Sequence, residues 1–256
     1  MVKNTVAIIQ GRMGSSRLPG KILLDLAGKP MLMRVVERAR QSKTVDEVVF
    51  ATTVDPLDDA VEAYCRQNAI TCFRGSLPDV LDRFYQAAKA FKADTVVRIT
   101  ADCPLLDPGL MDETVTLFRQ SGADFAANRL PPPFKRTYPI GLDCEVCSFA
   151  ALERAWNEAT ALHDREHVMP YLYEVKDRFK VAILNYEKDY GTFGRWTVDT
   201  PQDLELVRQV YARLAGKPDF TWLDVLAIFE REPELGRINA QVEHNSMYDV
   251  DRRFLK

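Results

Sequence analysis

TVAIIQGRMGSSRLPGK, residues 5–21, decides how the rest of the chain is read. Thr5 to Gln10 is a short β-branched apolar run, the pattern of a buried strand. The loop that follows holds Gly11, Gly14 and Gly20, Ser15 and Ser16, Arg12, Arg17 and Lys21, and no acid. Glycines let backbone amides approach a ligand, and a run of amides makes an anion-binding concavity. The basic side chains would neutralise a polyphosphate. The common phosphate loop GxxxxGK[ST] does not fit, because Ser15 and Ile22 stand where Gly and Ser or Thr are needed. GxGxxG does not occur here either. The plain alternative is a solvated basic turn.

Moving outward, Pro30 to Arg40 has a helical pattern, with Met31, Val35, Val36 and Ala39 on one face. Glu47–Thr53, Ile70–Phe73 and Asp94–Thr100 read as strands. Leu57–Asn68 and Asp79–Phe91 read as helices. Four strands alternating with three helices predict an α/β fold with a mostly parallel sheet flanked by helices. The loops after Gln10 and Thr100 then lie at carboxyl ends of strands, where such sheets bind ligands. After residue 120 the rhythm changes. Leu130 to Pro133 reads as a stiff, exposed connection. Ile140–Val146, Phe179–Leu184 and Arg195–Asp199 read as strands; Phe149–Leu162, Glu166–Val175 and Pro201–Leu214 read as helices.

The 256 residues suit one domain with a small subregion around 129–190. With 34 bases against 37 acids the net charge is −3, which argues against a nucleic-acid binder. The charge is uneven. Lys3, Arg12, Arg17 and Lys21 precede the first acid, Asp25, so a cationic loop is set in an acidic body. Five cysteines, an odd number, argue against a disulfide framework and for a reducing, cytoplasmic home. No apolar run approaches the roughly 20 residues of a membrane span.

Two aspartates carry further chemistry. Asp102, in TADCPLLDP (100–108), follows an apolar strand pattern, and Asp199, in RWTVDTPQDL (195–204), ends another. Both suit Mg²⁺, which takes one or two carboxylates plus phosphate oxygens. The bland readings are a turn or cap for Asp102 and a helix cap for Asp199. His163-Asp164-Arg165-Glu166-His167 fits the HxxEH zinc pattern, but Pro170 interrupts the helix and only His244 remains elsewhere. Cys144 and Cys147 form a CxxC in a strand-like run, where the two point to opposite faces, so they read as packing. Trp156, Tyr171, Tyr173 and Trp222 read as core.

Taken in order, IIQGRMGSSRLPGK, FRGSLPDVLDRFYQAAK, VVRITADCPLLDP, YPIGLDCEVCSFAALERA, REHVMPYLY and RWTVDTPQDL resemble the family of acylneuraminate and 3-deoxy-manno-octulosonate cytidylyltransferases. Within it they are most similar to the spore-coat polysaccharide biosynthesis branch. The resemblance implies a nucleotide-diphospho-sugar transferase fold, CTP as nucleotide, Mg²⁺ as cofactor and an acidic sugar as acceptor. It implies that Arg12 and Lys21 grip the triphosphate, with Gln10, Gly11, Gly14, Ser15, Arg17 and Thr100 around the nucleotide. It places Arg74, Gly75, Ser76 and Asp79 at base and ribose, and Asp102 and Asp199 on the metal. Tyr138, Gly141, Asp143 and Glu145 fall on the sugar-facing segment, with Asp143 or Glu145 as candidate base. REHVMPYLY resembles a dimer-building segment, implying a homodimer. The loop SSRLPGK differs from the lysine-rich loop of the acylneuraminate branch, which leaves the sugar open.

Two alternatives stand beside this reading. A glycosyltransferase, or another nucleotidyltransferase of this fold, would act on a different nucleotide or sugar phosphate. The Asp-x-Asp of such glycosyltransferases is absent, since Ala101-Asp102-Cys103 carries one carboxylate. A non-catalytic nucleotide binder would have no use for both aspartates.

Overall fold

β1 (Thr5–Gln10) lies inside a seven-stranded sheet and feeds two apolar layers. Ala7 and Ile9 pack into one layer, Val6 and Ile8 into the other. A strand covered on both faces needs apolar residues throughout, hence the unbroken run. A computed structural model describes residues 4–130, 136–243 and 248–251.

β2 (Asp25–Leu26) and β3 (Lys29–Pro30) make a small hairpin before α1 (Met31–Ala39). β4 (Glu47–Thr53), α2 (Asp59–Gln67), β5 (Thr71–Gly75), α3 (Val80–Ala90), β6 (Thr95–Thr100) and α4 (Pro108–Ser121) follow. Then come β7 (Phe125–Ala127), β8 (Glu145–Ser148), α5 (Phe149–Glu158), α6 (Leu162–His167) and α7 (Pro170–Tyr173). β9 (Val181–Ile183), α8 (Pro201–Arg213) and α9 (Trp222–Arg231) complete the strands and α-helices among the described residues. The sheet order is β5-β4-β1-β6-β8-β7-β9, and β8 alone runs against its neighbours. From β1 the chain winds outward through β4 to β5, then returns to β6 on β1's other side. That reversal opens a crevice beyond Gln10 and Thr100, which are register partners.

Polar caps fix the helix starts around the crevice. Asp79 caps α3, Asp107 caps α4 ahead of Pro108, and Gly122 closes α4 with a φ of 59°. α8 begins with a capping box of Thr200 and Asp203.

Elsewhere the outcome differs from expectation. Arg195–Asp199 makes one bridge, Arg195 to Ile140, and no strand. Its alternation has another cause: Trp196 and Val198 enter the core while Thr197 and Asp199 face the crevice. The strand expected over Ile140–Val146 starts only at Glu145. α5 stops at Glu158, and the helix expected over Glu166–Val175 is split between α6 and α7. Val168 makes the break with a φ of 72°, and Pro170 restarts the helix. Leu130, expected exposed, is buried; Pro131–Pro133 and His244 lie outside the described residues. Cys144 and Cys147 are buried in opposite layers. No helix among the described residues is long and apolar enough to cross a membrane.

Candidate functional site

A cleft of about 720 Å³ opens at the carboxyl ends of β1 and β6. A concavity of equal volume lies between α1 and α8, but its buried Arg38 donates to the carbonyls of Leu106, Pro218 and Phe220. Size does not separate the two; the side chains do.

At the floor of the first cleft, Lys21 Nζ stands 2.7 Å from Asp102 Oδ2, 2.8 Å from Asp199 Oδ1 and 2.9 Å from the Val198 carbonyl. Burial disfavours the Lys21 ammonium, but the two carboxylates outweigh it and hold its pKa above the ordinary value. Burial likewise works against the Asp199 carboxylate; Lys21, Arg17 and Arg195 overcome it and hold the pKa at about 2. Arg17 Nη2 reaches Asp199 Oδ2 at 2.9 Å, and Arg195 bonds the same oxygen.

Neither aspartate is consumed by capping. Thr200 caps α8, and Asp107 caps α4. The fully buried Asp203 accepts the Asp199 amide at 3.0 Å and the Thr200 amide at 2.9 Å, and pairs with Arg195 Nε at 3.2 Å. Asp203 thereby fixes the backbone that carries Asp199.

The loop after β1 is anchored from beneath. Buried Asp58 accepts the Met13 amide at 2.7 Å and the Thr53 amide at 3.1 Å. Gly11 is required by packing, since a Cβ there would lie 2.8 Å from both Ala101 and Phe50. At Gly14 a Cβ would meet nothing within 4 Å, so the fold itself sets no demand for glycine at this cleft position.

Arginines form the upper wall. Arg98 Nε donates to Gln10 Oε1 at 2.9 Å, and its Nη1 pairs with Glu145. Arg129, 6% exposed, pairs with Asp143 through Nη1 but has Nε and Nη2 buried without hydrogen-bond partners. Burial, with Arg136 nearby, lowers its pKa to about 10. Burial also lowers His167, to about 4, so this cleft imidazole is neutral near pH 7. A segment of residues 249–251 borders the opening. There Asp251 accepts from Arg12 Nη2 at 2.8 Å, and its amide donates to Glu166 at 2.7 Å.

Of the residues expected at the site, Gln10, Gly11, Arg12, Gly14, Ser15, Arg17, Lys21, Thr100, Asp102, Asp143, Glu145 and Asp199 line this cleft. Six others do not. Arg74 is held at the sheet edge by Asp59 at 2.7 Å and Glu62 at 2.9 Å. Gly75 leaves room for Arg83, and the Ser76 carbonyl accepts Arg83 Nη1 at 2.7 Å, so both serve a cleft arginine indirectly. Asp79 caps α3 and pairs with Arg165 beside a smaller groove. Tyr138 is core, 2% exposed, its ring 5.5 Å from Trp222. Gly141, with a φ of 103°, lets the Trp196–Thr197 backbone pass where a Cβ would come within 2.6 Å. Tyr173, read as core, is buried and borders the cleft.

Sequence reading missed Arg83, Arg98, Arg129, His167, Arg195 and Asp203. A signal existed for Arg98, a lone charge inside the apolar run of β6. Arg129 gave none, because strand pairing and the turn beyond β7 set its burial.

Comparison with known proteins gives this chain's relatives. A family profile described as "Cytidylyltransferase" matches residues 6–229. The chain is 33% identical over 245 residues to the spore coat polysaccharide biosynthesis protein SpsF of Bacillus subtilis, covering 89% of this chain and 94% of that one. It is 29% identical over 220 residues to the 8-amino-3,8-dideoxy-manno-octulosonate cytidylyltransferase of Shewanella sediminis, covering 82% and 85%. A solved cytidylyltransferase structure from Leptospira borgpetersenii superposes with a TM-score of 0.85 at 32% identity, covering 95% of this chain and 99% of that one.

Proposed function

The chain belongs to the cytidylyltransferase family and is a nucleotidyltransferase, and from that premise we propose that it transfers CMP from CTP to a hydroxyl of an acidic sugar of the 2-keto-3-deoxy type, releasing pyrophosphate. The observation that carries this reading is the meeting, in one cleft, of a carboxylate pair around Lys21 with a buried arginine whose guanidinium is half unpartnered.

The acceptor hydroxyl attacks the α-phosphorus in line and loses its proton to solvent, the bond from the α-phosphorus to the bridging oxygen breaks, and negative charge grows on that oxygen as it leaves with pyrophosphate. Catalysis of this kind rests on positioning and electrostatics. Arg12, Arg17 and Lys21 receive the triphosphate and the departing pyrophosphate. Arginine offers a planar fork to phosphate oxygens, lysine a point charge. Asp251 faces Arg12, so triphosphate arrival exchanges one anionic partner for another.

Arg129 receives the carboxylate of the sugar. Its unpartnered Nε and Nη2 suit a bidentate anion, and Asp143 orients the guanidinium from the other side. Glu145 and Gln10 hold Arg98 in the same wall. Asp143 and Glu145 thus act first as orienting partners of arginines.

The donor set at the floor suits Mg²⁺. Oxygens of Asp102 and Asp199 converge on one point, within 2.8 Å of a cation already, and all-carboxylate donors match a hard ion. Asp102 and Asp199 would hold the ion, and it would neutralise charge on the phosphate oxygens. Lys21 would then turn from the carboxylates toward phosphate. We also propose the homodimer that the resemblance implies.

The test is a coupled pyrophosphate assay crossing four nucleoside triphosphates with 2-keto-3-deoxy sugar acids and with sugar phosphates. Release only with CTP and a sugar acid is expected. Turnover confined to UTP or GTP with a sugar 1-phosphate would overturn the reading.

A further inference from the structure

A second group of ligating side chains gathers beside α6 and α7, and its members do not line the cleft. His163 Nε2 is 3.0 Å from Glu174 Oε2 and 3.7 Å from Asp164 Oδ1. The three ligating atoms lie within 4.8 Å of one another. A four-coordinate ion with bonds of about 2.0–2.2 Å sets its ligand atoms roughly 3.3–3.6 Å apart. The two spacings fall on either side of that range.

An independent observation concerns Asp164. The residue is 6% exposed, and its Oδ1, which faces the imidazole, is buried with no hydrogen-bond partner. Glu174 Oε1 is buried without a partner as well. One imidazole cannot satisfy two carboxylates. The nearest arginines are engaged elsewhere: Arg165 donates to Asp79 and to the Trp156 carbonyl, and Arg178 to the Tyr171 carbonyl. Buried carboxylate oxygens left in this state are relieved by a proton or by a cation.

We propose that His163, Asp164 and Glu174 bind one divalent transition-metal ion of the zinc class. One imidazole nitrogen with two carboxylate oxygens favours Zn²⁺ over Mg²⁺, which prefers six oxygens. Tyr248 lies edge-on to His163 at 5.2 Å and its hydroxyl bonds Glu174, so it borders the ligand group on its more exposed side. The site uses one histidine of the HxxEH pattern and not the other, because His167 turns into the cleft. The ion would tie α6 to the residue just past α7. Glu166, His167 and Tyr173 of those helices line the cleft, so it would brace one wall. The inference is separate from the nucleotidyl transfer reading and would survive its failure.

The test is zinc binding by the full chain, stripped with chelator and dialysed against Zn²⁺ with Mg²⁺ in excess, with metal content measured by mass spectrometry. The parent should hold one Zn²⁺ per chain and melt at a higher temperature with it. His163→Ala, Asp164→Asn and Glu174→Gln should each weaken binding by about tenfold or more, with unchanged circular dichroism in chelator. Co²⁺ in place of Zn²⁺ should give the visible bands of a four-coordinate ion with a nitrogen ligand. If His163→Ala does not fold, the near-isosteric Glu174→Gln decides. No stoichiometric zinc in the parent, or zinc lost in Asp102→Asn and retained in Glu174→Gln, overturns the proposal.

Discussion

Replacing Lys21 by Met removes the cation shared by Asp102 and Asp199 and keeps most of its stem. In the parent, burial opposes the Asp199 carboxylate, and Lys21, Arg17 and Arg195 hold its pKa at about 2, against an ordinary 3.8. The unfolded chain therefore binds that proton more readily than the native protein. The stabilisation is fully present above about pH 4 and is lost as pH falls toward 2. At about 1.4 kcal/mol per pH unit it is worth roughly 2 kcal/mol. In Lys21→Met, Asp199 keeps its two arginines, while Asp102 loses its ion pair and faces another carboxylate. Breaking a fully buried pair costs about 3–5 kcal/mol. The Asp102 side chain is 25% exposed, so solvent offsets part of the loss and ~2–3 kcal/mol is expected. The pH response should also shrink. Losing Lys21 removes one of the three cations that hold the Asp199 carboxylate down, so the stability gap between parent and variant should narrow as pH falls from about 4 toward 2. Mg²⁺ should stabilise the variant more than the parent, since no ammonium competes for the carboxylates. Urea unfolding across this pH range, with chelator and then with Mg²⁺, measures all three effects. A variant as stable as the parent in chelator, and indifferent to Mg²⁺, would refute the reasoning.

Asp102→Ala and Asp199→Ala should each cut pyrophosphate release by about 10²–10⁴-fold with folding retained by circular dichroism; near-parental turnover would remove both from the site. Arg129→Lys keeps the charge and loses the fork, so kcat/KM for the sugar acid should fall by about tenfold or more while KM for CTP stays level. A matching rise in KM for CTP would place Arg129 on the nucleotide instead. Asp251→Asn removes the carboxylate that faces Arg12. It should tighten CTP binding by severalfold in calorimetry, and weaker binding would mean that Asp251 helps to build the site.

The strands nearest the crevice were legible because burial on both faces leaves little choice of residue. β1, β4 and β6 are runs that tolerate few polar positions, and β1 and β6 place Gln10 and Thr100 side by side. Asp102 and Asp199 were legible for a related reason, since each closely follows or ends an apolar run, while Lys21 closes a glycine-rich loop that holds no acid. What failed depends on distant parts of the chain. Trp196 and Val198 alternate like a strand because α9 and the core cover them, although no ladder forms. Val168 breaks a helix through a backbone angle that no β-branched residue advertises. Tyr138, which the resemblance puts on the sugar-facing segment, is claimed by Trp222 and Tyr186 in the core. α4 lies where no helix is expected, although Pro108 and Gly122 mark its ends.

The contact of Arg12 with Asp251 spans 239 positions. During synthesis, β1, β4, β5 and β6 can pair once residue 100 has left the ribosome, which completes the crevice floor on one side. Residue 251 is added some 150 residues later, roughly 8–30 s at ordinary elongation rates. Over that interval the cationic loop lacks its Asp251 contact and stands next to polyanionic ribosomal RNA. The acids of the intervening segments, with Asp58 bonded to the Met13 amide and Asp102 to Lys21, are then its own shield against that surface.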